Sequence, residues 1–486
     1  MIPMAKKLID KYRNMADPVK ASLWFLICGF LQKGMSMLTT PIYTRIMTES
    51  EYGRNSLYTS WYNIIFIIVS LELAAGVYSR GLIKNEERAD AFSSALLSLS
   101  TVCVLFFSGL YFIFHSQINE LTGMSTYLMI MMLIETWSTI AYQFWSNKER
   151  VAYRYKKLVV LMITYTLLRP IVGVMAVLAA DGQHQVEAKV TATTLVNLVL
   201  FCGLYFSMMK KGKTFFDKEF WKYALSFNLP LIPHYLSQVI LNQSDRIMIG
   251  KMCSEAAVGY YSVAYSLAMV MQIFNSAVSS TMNPWIYRSI KNGTYNRIAP
   301  VSYSILTAIA GVNFAMVALG PELLKIMAPG SYYEAVWAIP PVTVSVYFMF
   351  LYNLFATFEY YYNKTHWVMI ASVGSALLNI GLNALFIPKY GFVAAGYTTL
   401  ISYVLCSVAH YLFMRRVTKK YMDGYKVYDI KKIMIIGLSL AVASAGMLAL
   451  YKYMIIRYAI LLVFAVVVFC FRKRIIALFK EMKKES

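Results

Sequence analysis

Charged side chains interrupt or end several of the long apolar stretches in this 486-residue chain. An ionisable group at the centre of a membrane costs about 3 kcal/mol or more, so each one is expected to face a cavity or a partner. Such groups could bind a charged ligand, or they could pair with one another and only stabilise the fold. The cations are Lys33, Arg45, Arg169 and Arg246, and the acids are Glu72, Glu135, Asp245 and Glu359.

Lys33 and Arg169 are the leading candidates for ligand binding, because each falls near the middle of its apolar stretch. Pro170 follows Arg169 directly, and a proline inside a helix removes one backbone hydrogen bond and loosens that turn. We expect the two cations to line a functional cavity. The alternative is a buried structural pair with Glu72 or Glu135.

Arg45 and Arg246 fall towards the outer ends of their stretches. They could act as further ligand contacts, or they could extend to the outer lipid headgroups. Glu359 lies close to Lys364 at the end of another stretch and is interpreted as a membrane-boundary residue.

Two stretches carry polar side chains at helical spacing. These are His234, Gln238, Asn242 and Asp245 in one stretch, and Gln272, Asn275, Ser279 and Asn283 in the next. Such stripes suit a water-filled pathway, although hydrogen bonds between helices would use the same residues. Pro230 and Pro233 are predicted to break the first of these two stretches near its start.

About fourteen apolar stretches of about twenty residues carry these groups, separated by short loops. With 59% hydrophobic and 14% charged residues, the chain cannot be a water-soluble globule of this size. Only helices satisfy their own backbone in hydrocarbon, so an all-α integral membrane protein is predicted. The predicted spans are 19–44, 57–79, 91–114, 124–145, 158–180, 188–209, 223–250, 255–283, 298–320, 336–362, 366–387, 391–414, 430–450 and 453–472.

The net charge of +22 is concentrated in the loops on one side of the predicted membrane. That side holds about 35 of the Lys and Arg residues and the other side about 9, so both termini are predicted to be cytoplasmic. The basic loops are 1–18, 80–88, 148–157, 210–222, 415–432 and 472–484. The charge is therefore a topology signal and does not indicate a nucleic-acid partner.

Several enzyme classes find no support in the sequence. It lacks a phosphate-binding Gly-x-x-x-x-Gly-Lys motif, any His/Cys/Asp group with metal-ligand spacing, and any loop long enough for a soluble catalytic domain. The six cysteines have no metal or redox spacing. We therefore expect a transporter without catalytic residues, metal or cofactor.

The chain is predicted to contain a duplicated six-helix bundle. An Arg-Ile-Met triplet, at 45–47 and again at 246–248, leads through a short loop to Gly53 or Gly259, with a serine three residues later. A fixed offset of about two hundred residues is the mark of a repeat. The expected division is an N-terminal lobe at 1–210, a C-terminal lobe at 211–414, and a basic linker with two further helices at 415–486.

Several segments resemble bacterial polysaccharide transporters of the O-antigen flippase type. They are Thr-Pro-Ile-Tyr-Thr-Arg-Ile at 40–46, Glu-Tyr-Gly at 51–53, Leu-Pro-Leu-Ile-Pro at 229–233 leading to Asp245 and Arg246, and Ile-Pro-Lys-Tyr-Gly at 387–391, followed by the small and polar run at 394–402. The resemblance covers essentially the whole chain. It places the chain in the multidrug, oligosaccharidyl-lipid and polysaccharide exporter superfamily.

The resemblance implies a monomeric flippase in the bacterial cytoplasmic (inner) membrane. It would carry an undecaprenyl-pyrophosphate-linked oligosaccharide to the outer leaflet by alternating access, for a polymer such as O-antigen or capsule. Lys33 and Arg169 would bind the diphosphate, with Arg45 and Arg246 as second contacts. Glu72, Glu135 and Asp245 would serve as counter-ions or carry a coupling H⁺ or Na⁺. A polymerase or chain-length regulator would suit the family as a partner.

Two rivals share the same scaffold. A multidrug or toxin antiporter would need an anionic cavity for its cationic substrates. A lipid II flippase would carry a basic cavity, so charge does not separate it from the leading hypothesis. A membrane-embedded sugar polymerase would instead need a long outer loop rich in Arg, which the sequence lacks.

Overall fold

The computed structural model describes residues 15–484, except for the side chains of Ser36, Val468 and residues 471–484. The described residues form helices, turns and loops and contain no strand, so the prediction of an all-α protein is confirmed. The chain divides into two compact units. Unit 1 holds the described residues up to Glu51 together with Tyr58–Val239, and unit 2 holds Tyr52–Leu57 and the chain from Ile240 onward.

The first half of the chain contains nine of the described α-helices. They are α1 (Asp17–Ile46), α2 (Glu49–Ser70), α3 (Gly76–Lys84), α4 (Ala89–Ile113), α5 (His115–Thr122), α6 (Thr126–Val151), α7 (Tyr155–Ala179), α8 (Gln185–Gly212) and α9 (Lys218–Asn228). Within unit 1, α8 packs against α4, α6 and α7, while α1 packs along α7.

The second half continues after a 3₁₀ turn at Leu229–Leu231. Its helices are α10 (Ile232–Met252), α11 (Glu255–Lys291), α12 (Ile298–Ala318), α13 (Gly320–Met327), α14 (Ile339–Tyr361), α15 (Thr365–Tyr390), α16 (Phe392–Tyr421), α17 (Ile430–Ala449) and α18 (Met454–Lys484). Within unit 2, α14 is central and packs against α11, α12 and α16.

Every predicted apolar stretch coincides with a helix, or with two helices separated by a break. Within residues 15–484, ten helical segments are long and apolar enough to cross a membrane. Helices α2, α6 and α10 are not among the ten, because charged and polar residues lower their hydropathy. Two of these helices carry the acids described below, Glu135 on α6 and Asp245 on α10.

The proline-rich break before α10 was predicted and is confirmed: α9 ends at Asn228 and α10 begins at Ile232. Pro170 lies inside α7, and that helix continues through it from Tyr155 to Ala179. The sequence did not predict a second break, at residues 71–75 between α2 and α3. We call residues 71–75 the α2–α3 break.

The two copies of the repeated sequence begin their next helix in the same way. Thr48 Oγ1 accepts a hydrogen bond from the Glu51 backbone N–H (3.2 Å) at the start of α2. Ser254 Oγ accepts one from the Ala257 N–H (3.2 Å) at the start of α11. A hydroxyl at this position satisfies one of the backbone donors that a helix start leaves free.

An ion pair fixes the start of α18 in unit 2. Arg457 donates to both Glu322 carboxylate oxygens, from Nη1 at 2.9 Å and Nη2 at 2.6 Å, and to the Ala318 carbonyl at 2.7 Å. Partial burial by itself would raise the pKa of Glu322, but the hydrogen bonds and charge of Arg457 outweigh it and hold the pKa below its usual value.

Candidate functional site

Unit 1 contains a cluster of charged and phenolic side chains, which we call the N-terminal polar cluster. Glu135 on α6 forms an ion pair with Arg169 on α7, and the exposed side-chain fractions are 2% and 36%. The Tyr58 hydroxyl donates to Glu135 Oε2 (3.0 Å), and Arg169 Nη1 donates to the Tyr165 hydroxyl (2.9 Å). Of the two acids weighed as partners for Arg169, the structure therefore places Glu135 beside it.

Lys189 on α8 adds a second cation to this cluster. Its Nζ lies 3.9 Å from the centroid of the Tyr43 ring, within the range of a cation–π contact. Gly173 on α7 permits this packing, because a Cβ there would lie 2.5 Å from the Tyr43 hydroxyl oxygen. The cluster therefore combines two basic side chains, Arg169 and Lys189, with the Glu135 carboxylate and several phenol rings.

Unit 2 contains a second group, which we call the Asp245 cage. Asp245 on α10 is 0% exposed. Its carboxylate accepts hydrogen bonds from the Tyr261 hydroxyl (2.5 Å), Asn383 Nδ2 (2.7 Å) and the Thr399 hydroxyl (2.6 Å). These three donors are neutral and come from α11, α15 and α16, so the acid joins four helices.

Arg246 follows Asp245 in sequence but has different partners. Its Nε donates to Ser262 Oγ (3.1 Å) and its Nη1 to the Asn242 carbonyl (3.0 Å), and its guanidinium lies 4.3 Å from the centroid of the Tyr265 ring. The residue is 9% exposed. The Arg246 side chain is therefore held inside unit 2.

Glu72 lies in the α2–α3 break of unit 1. Leu71 and Glu72 have φ of +50° and +49°, a left-handed conformation that residues other than glycine rarely adopt. Asn228 Nδ2 donates to the carbonyls of Leu71 (3.0 Å) and Glu72 (2.7 Å), and Asn147 Nδ2 donates to that of Ala74 (2.6 Å). Two side-chain amides thus bind backbone carbonyls that a continuous helix would use internally.

The remaining predicted site residues lie apart from these groups or serve contacts between helices. Lys33 and Arg45 are exposed on α1. Asn275 donates to the Val346 carbonyl (3.1 Å), joining α11 to α14, and Gln272 Nε2 lies 3.6 Å from Met349 Sδ. Asn242 accepts hydrogen bonds from Tyr265 and Tyr403, while His234 and Gln238 are half-buried.

The interpretation of Glu359 as a membrane-boundary residue is wrong. Glu359 on α14 and His410 on α16 are both 0% exposed, and His410 Nδ1 lies 2.9 Å from Glu359 Oε1. A boundary position would leave the carboxylate in contact with water. The histidine partner supplies the hydrogen bond that the buried carboxylate needs.

Lys189 and the tyrosines of the N-terminal polar cluster were not identified from the sequence. Lys189 fell at the edge of its predicted stretch, where a cation is an ordinary boundary residue. Within residues 15–484 no group of three His, Cys, Asp or Glu side chains is placed to hold a metal ion. What the N-terminal polar cluster offers instead is positive charge, phenolic donors and stacking faces, which suit binding of an anion.

A family model described as "Polysaccharide biosynthesis protein" matches residues 19–290, and a second model, "MatE", matches residues 230–385. A Haemophilus influenzae protein described as "Lsg locus putative protein 1" is 25% identical over 393 residues, which is 74% of this chain and 89% of that protein. A Haloferax volcanii protein described as "Probable low-salt glycan biosynthesis flippase Agl15" is 23% identical over 416 residues, covering 82% and 84% of the two chains.

Solved structures show the same fold. The lipid II flippase MurJ in an inward closed conformation superposes with a TM-score of 0.70 at 15% identity, covering 93% of this chain and 100% of that one. An inward-facing multidrug resistance MATE family transporter of the MOP superfamily gives 0.62 at 13% identity, covering 83% and 99%. At these identities the likeness concerns the fold alone.

Proposed function

The chain belongs to the polysaccharide biosynthesis protein family, and from that membership we propose that it is a flippase for an undecaprenyl-pyrophosphate-linked oligosaccharide. The polar head would cross from the cytoplasmic to the outer leaflet of the bacterial inner membrane while the polyprenyl tail stays in lipid. No covalent step is needed. A relative described as a probable glycan biosynthesis flippase supports this substrate class.

The observation that carries the proposal is the pair of basic side chains, Arg169 and Lys189, in the N-terminal polar cluster. A pyrophosphate is strongly anionic, and guanidinium and ammonium groups in a low-dielectric setting compensate such a charge best. Arg169 and Lys189 lie in one unit, and the carboxylate bound to Arg169 is that of Glu135. A cationic drug would be repelled here, so the cluster favours a flippase over a multidrug exporter.

We assign Glu135 the role of holding Arg169 while no substrate is bound. The diphosphate would compete with the carboxylate for the guanidinium, and Tyr58 would continue to donate to Glu135. Lys189 would form the second contact to the diphosphate, and the exposed Lys33 and Arg45 of the same unit would act as further cations.

Transport would proceed by alternating access, driven by an H⁺ or Na⁺ gradient. Multidrug resistance MATE family transporters with the same fold have been solved in an inward-facing and in an outward-facing conformation. Asp245 is the proposed coupling carboxylate, because its three donors are neutral and leave its charge uncompensated by a bonded cation. The hydrogen bonds from these three donors to Asp245 would break when the ion binds and form again when it is released.

The test uses the purified protein in proteoliposomes that contain the lipid-linked glycan, with an imposed ion gradient. A membrane-impermeant reagent that oxidises sugars reports the fraction of glycan in the outer leaflet. The wild type should raise that fraction above the protein-free value, and Lys189→Gln and Arg169→Gln should lower the rate at least tenfold. Arg154→Gln, whose side chain is 61% exposed, is the matched control.

Normal flipping by both cluster variants would refute the role of the cluster. Export of a cationic dye, with no flipping of the glycan, would instead identify a drug transporter. Flipping of lipid II in preference to the other glycan would assign the protein to peptidoglycan synthesis.

A further inference from the structure

A cavity of about 280 Å³ lies in unit 1 beside the α2–α3 break. It is separate from the residues of the N-terminal polar cluster. It is lined by Gln32 on α1, by Glu72, Ala74 and Ala75 of the break, and by Tyr142, Gln143, Ser146, Asn147 and Arg150 on α6. Its volume falls near the lower end of the range for small-molecule sites, about 300 Å³.

The lining is unusual for a site inside a membrane protein. Drug-sized ligands are usually held by mostly apolar walls with a few polar groups. Here side-chain amides, a serine hydroxyl, one acid and one base share the wall with two alanines and a phenol ring. Side chains of this kind offer both donors and acceptors, as a ligand rich in hydroxyl groups requires.

Glu72 and Arg150 provide the charged members. Within the described part of the chain, the hydrogen bonds of Glu72 involve its backbone, and no side chain donates to its carboxylate. Arg150 Nε donates to Ser146 Oγ (3.3 Å), and its guanidinium lies 4.8 Å from the centroid of the Phe25 ring. Both charged groups therefore keep hydrogen-bonding capacity towards the cavity, and bonds to charged groups are the stronger ones.

The backbone of the break is an independent indication of a ligand site. The left-handed backbone conformation costs about 1–3 kcal/mol for each residue other than glycine. It persists where the surrounding structure enforces it, most often at binding sites. Leu71 and Glu72 are two such residues in succession, held by Asn228. Interrupted helices at membrane depth occur where they line a cavity.

We propose that this cavity binds one sugar ring of the lipid-linked oligosaccharide, an assignment that rests on the proposed function. Glu72 accepts hydrogen bonds from the sugar hydroxyls, Arg150 and Gln143 donate to them, and the ring stacks on Tyr142. The cavity lies near the end of α6 at Val151, which the distribution of basic loops assigns to the cytoplasmic side. It would therefore capture the glycan before it crosses.

The experiment compares two lipids on the full-length protein in detergent. One is undecaprenyl pyrophosphate, and the other is the native lipid-linked glycan extracted from cells that lack this transporter. The dissociation constant of each is measured by microscale thermophoresis. The wild type should bind the glycan-bearing lipid more tightly than the bare lipid, because only the former fills the cavity.

Glu72→Gln and Gln143→Ala should weaken binding of the glycan-bearing lipid about tenfold and about threefold, because the first loses charge-assisted bonds and the second one neutral bond. Binding of bare undecaprenyl pyrophosphate should not change in either variant, which also shows that each is folded. Glu87→Gln makes the same chemical change at an exposed position of unit 1 and should alter neither constant.

Equal binding of both lipids by the wild type would overturn the sugar site while leaving the flippase proposal intact. An equal loss for both lipids in Glu72→Gln would also overturn it, since the residue would then act on the diphosphate or on folding. Failure of the wild type to bind either lipid would overturn the sugar site together with the proposed function.

Discussion

Replacement of Arg169 by glutamine tests whether the charge of Arg169 compensates the buried charge of Glu135. The Glu135 side chain is 2% exposed and would be left with a charge but no cation bonded to it. Removing one partner of a buried pair costs about 3–5 kcal/mol. Because the Arg169 side chain is about one third exposed, we expect the lower end of that range, a loss of about 3 kcal/mol.

The double variant Glu135→Gln and Arg169→Gln should recover most of this loss. It removes both charges and retains hydrogen-bonding amides, and uncharged replacements of buried pairs are often close to neutral, within about 1 kcal/mol. The free energies of unfolding would be measured by reversible denaturation in mixed micelles for the wild type, both single variants and the double variant. The four values form a double-mutant cycle.

The cycle also separates stability from transport. The double variant should be stable but inactive in flipping, because it lacks the cation that binds the diphosphate. A double variant as unstable as Arg169→Gln alone would refute the reasoning, since the cost would then not arise from an uncompensated carboxylate. A coupling energy near zero would show that the two side chains contribute independently.

Three further perturbations give defined outcomes in the same denaturation assay. Asp245→Asn should cost about 1–3 kcal/mol, because the new amide group cannot accept all three buried hydrogen bonds, and a variant as stable as the wild type would contradict the cage. Gly173→Ala should destabilise by about 1–3 kcal/mol through a contact of 2.5 Å with a tyrosine hydroxyl, whereas Gly203→Ala on α8 meets nothing within 4 Å and should not. Arg457 lowers the pKa of Glu322 in the folded protein. The ionised carboxylate therefore contributes its full stabilisation at a pH above its pKa in the unfolded chain, about 4.3. This stabilisation is lost as the pH falls through the lower pKa of the folded protein. The stability difference between the wild type and Glu322→Gln should therefore be present at neutral pH and vanish in acid, and a difference independent of pH would count against the pair.

The helices could be predicted from the sequence because membrane spans are a matter of composition and length. The break before α10 was predictable for a local reason, since Pro230 lacks a backbone N–H and cannot continue a helix. The α2–α3 break has no such local cause at residues 71–75. It depends on Asn147 and Asn228, whose amides bind the freed carbonyls from 73 and 157 residues away.

The candidate site was only partly predictable for a similar reason. The sequence identified Arg169 and Glu135 as costly groups but left open which acid pairs with which cation, because that depends on helix packing. Glu359 was misread because its partner, His410, lies 51 residues away on another helix. Lys189 was overlooked because it falls at the edge of its predicted span. There, a shift of one helical turn decides whether a lysine lies at the membrane boundary or is buried.

The distant origin of the α2–α3 break also determines when it can form during synthesis. Leu71 and Glu72 leave the ribosome long before Asn228, which follows them by 157 and 156 residues, respectively. At about 5–20 residues per second, that separation is roughly 8–30 s of translation. In that interval the carbonyls of Leu71 and Glu72 should remain in a continuous helix, and the break should be completed only when α9 arrives with Asn228. A nascent chain stalled before Asn228 would then show continuous helix at residues 71–75, which spin labels on α2 and α3 would report as a longer separation than in the finished protein. The lobe would thus acquire its sugar-facing wall as one of the last steps of its assembly.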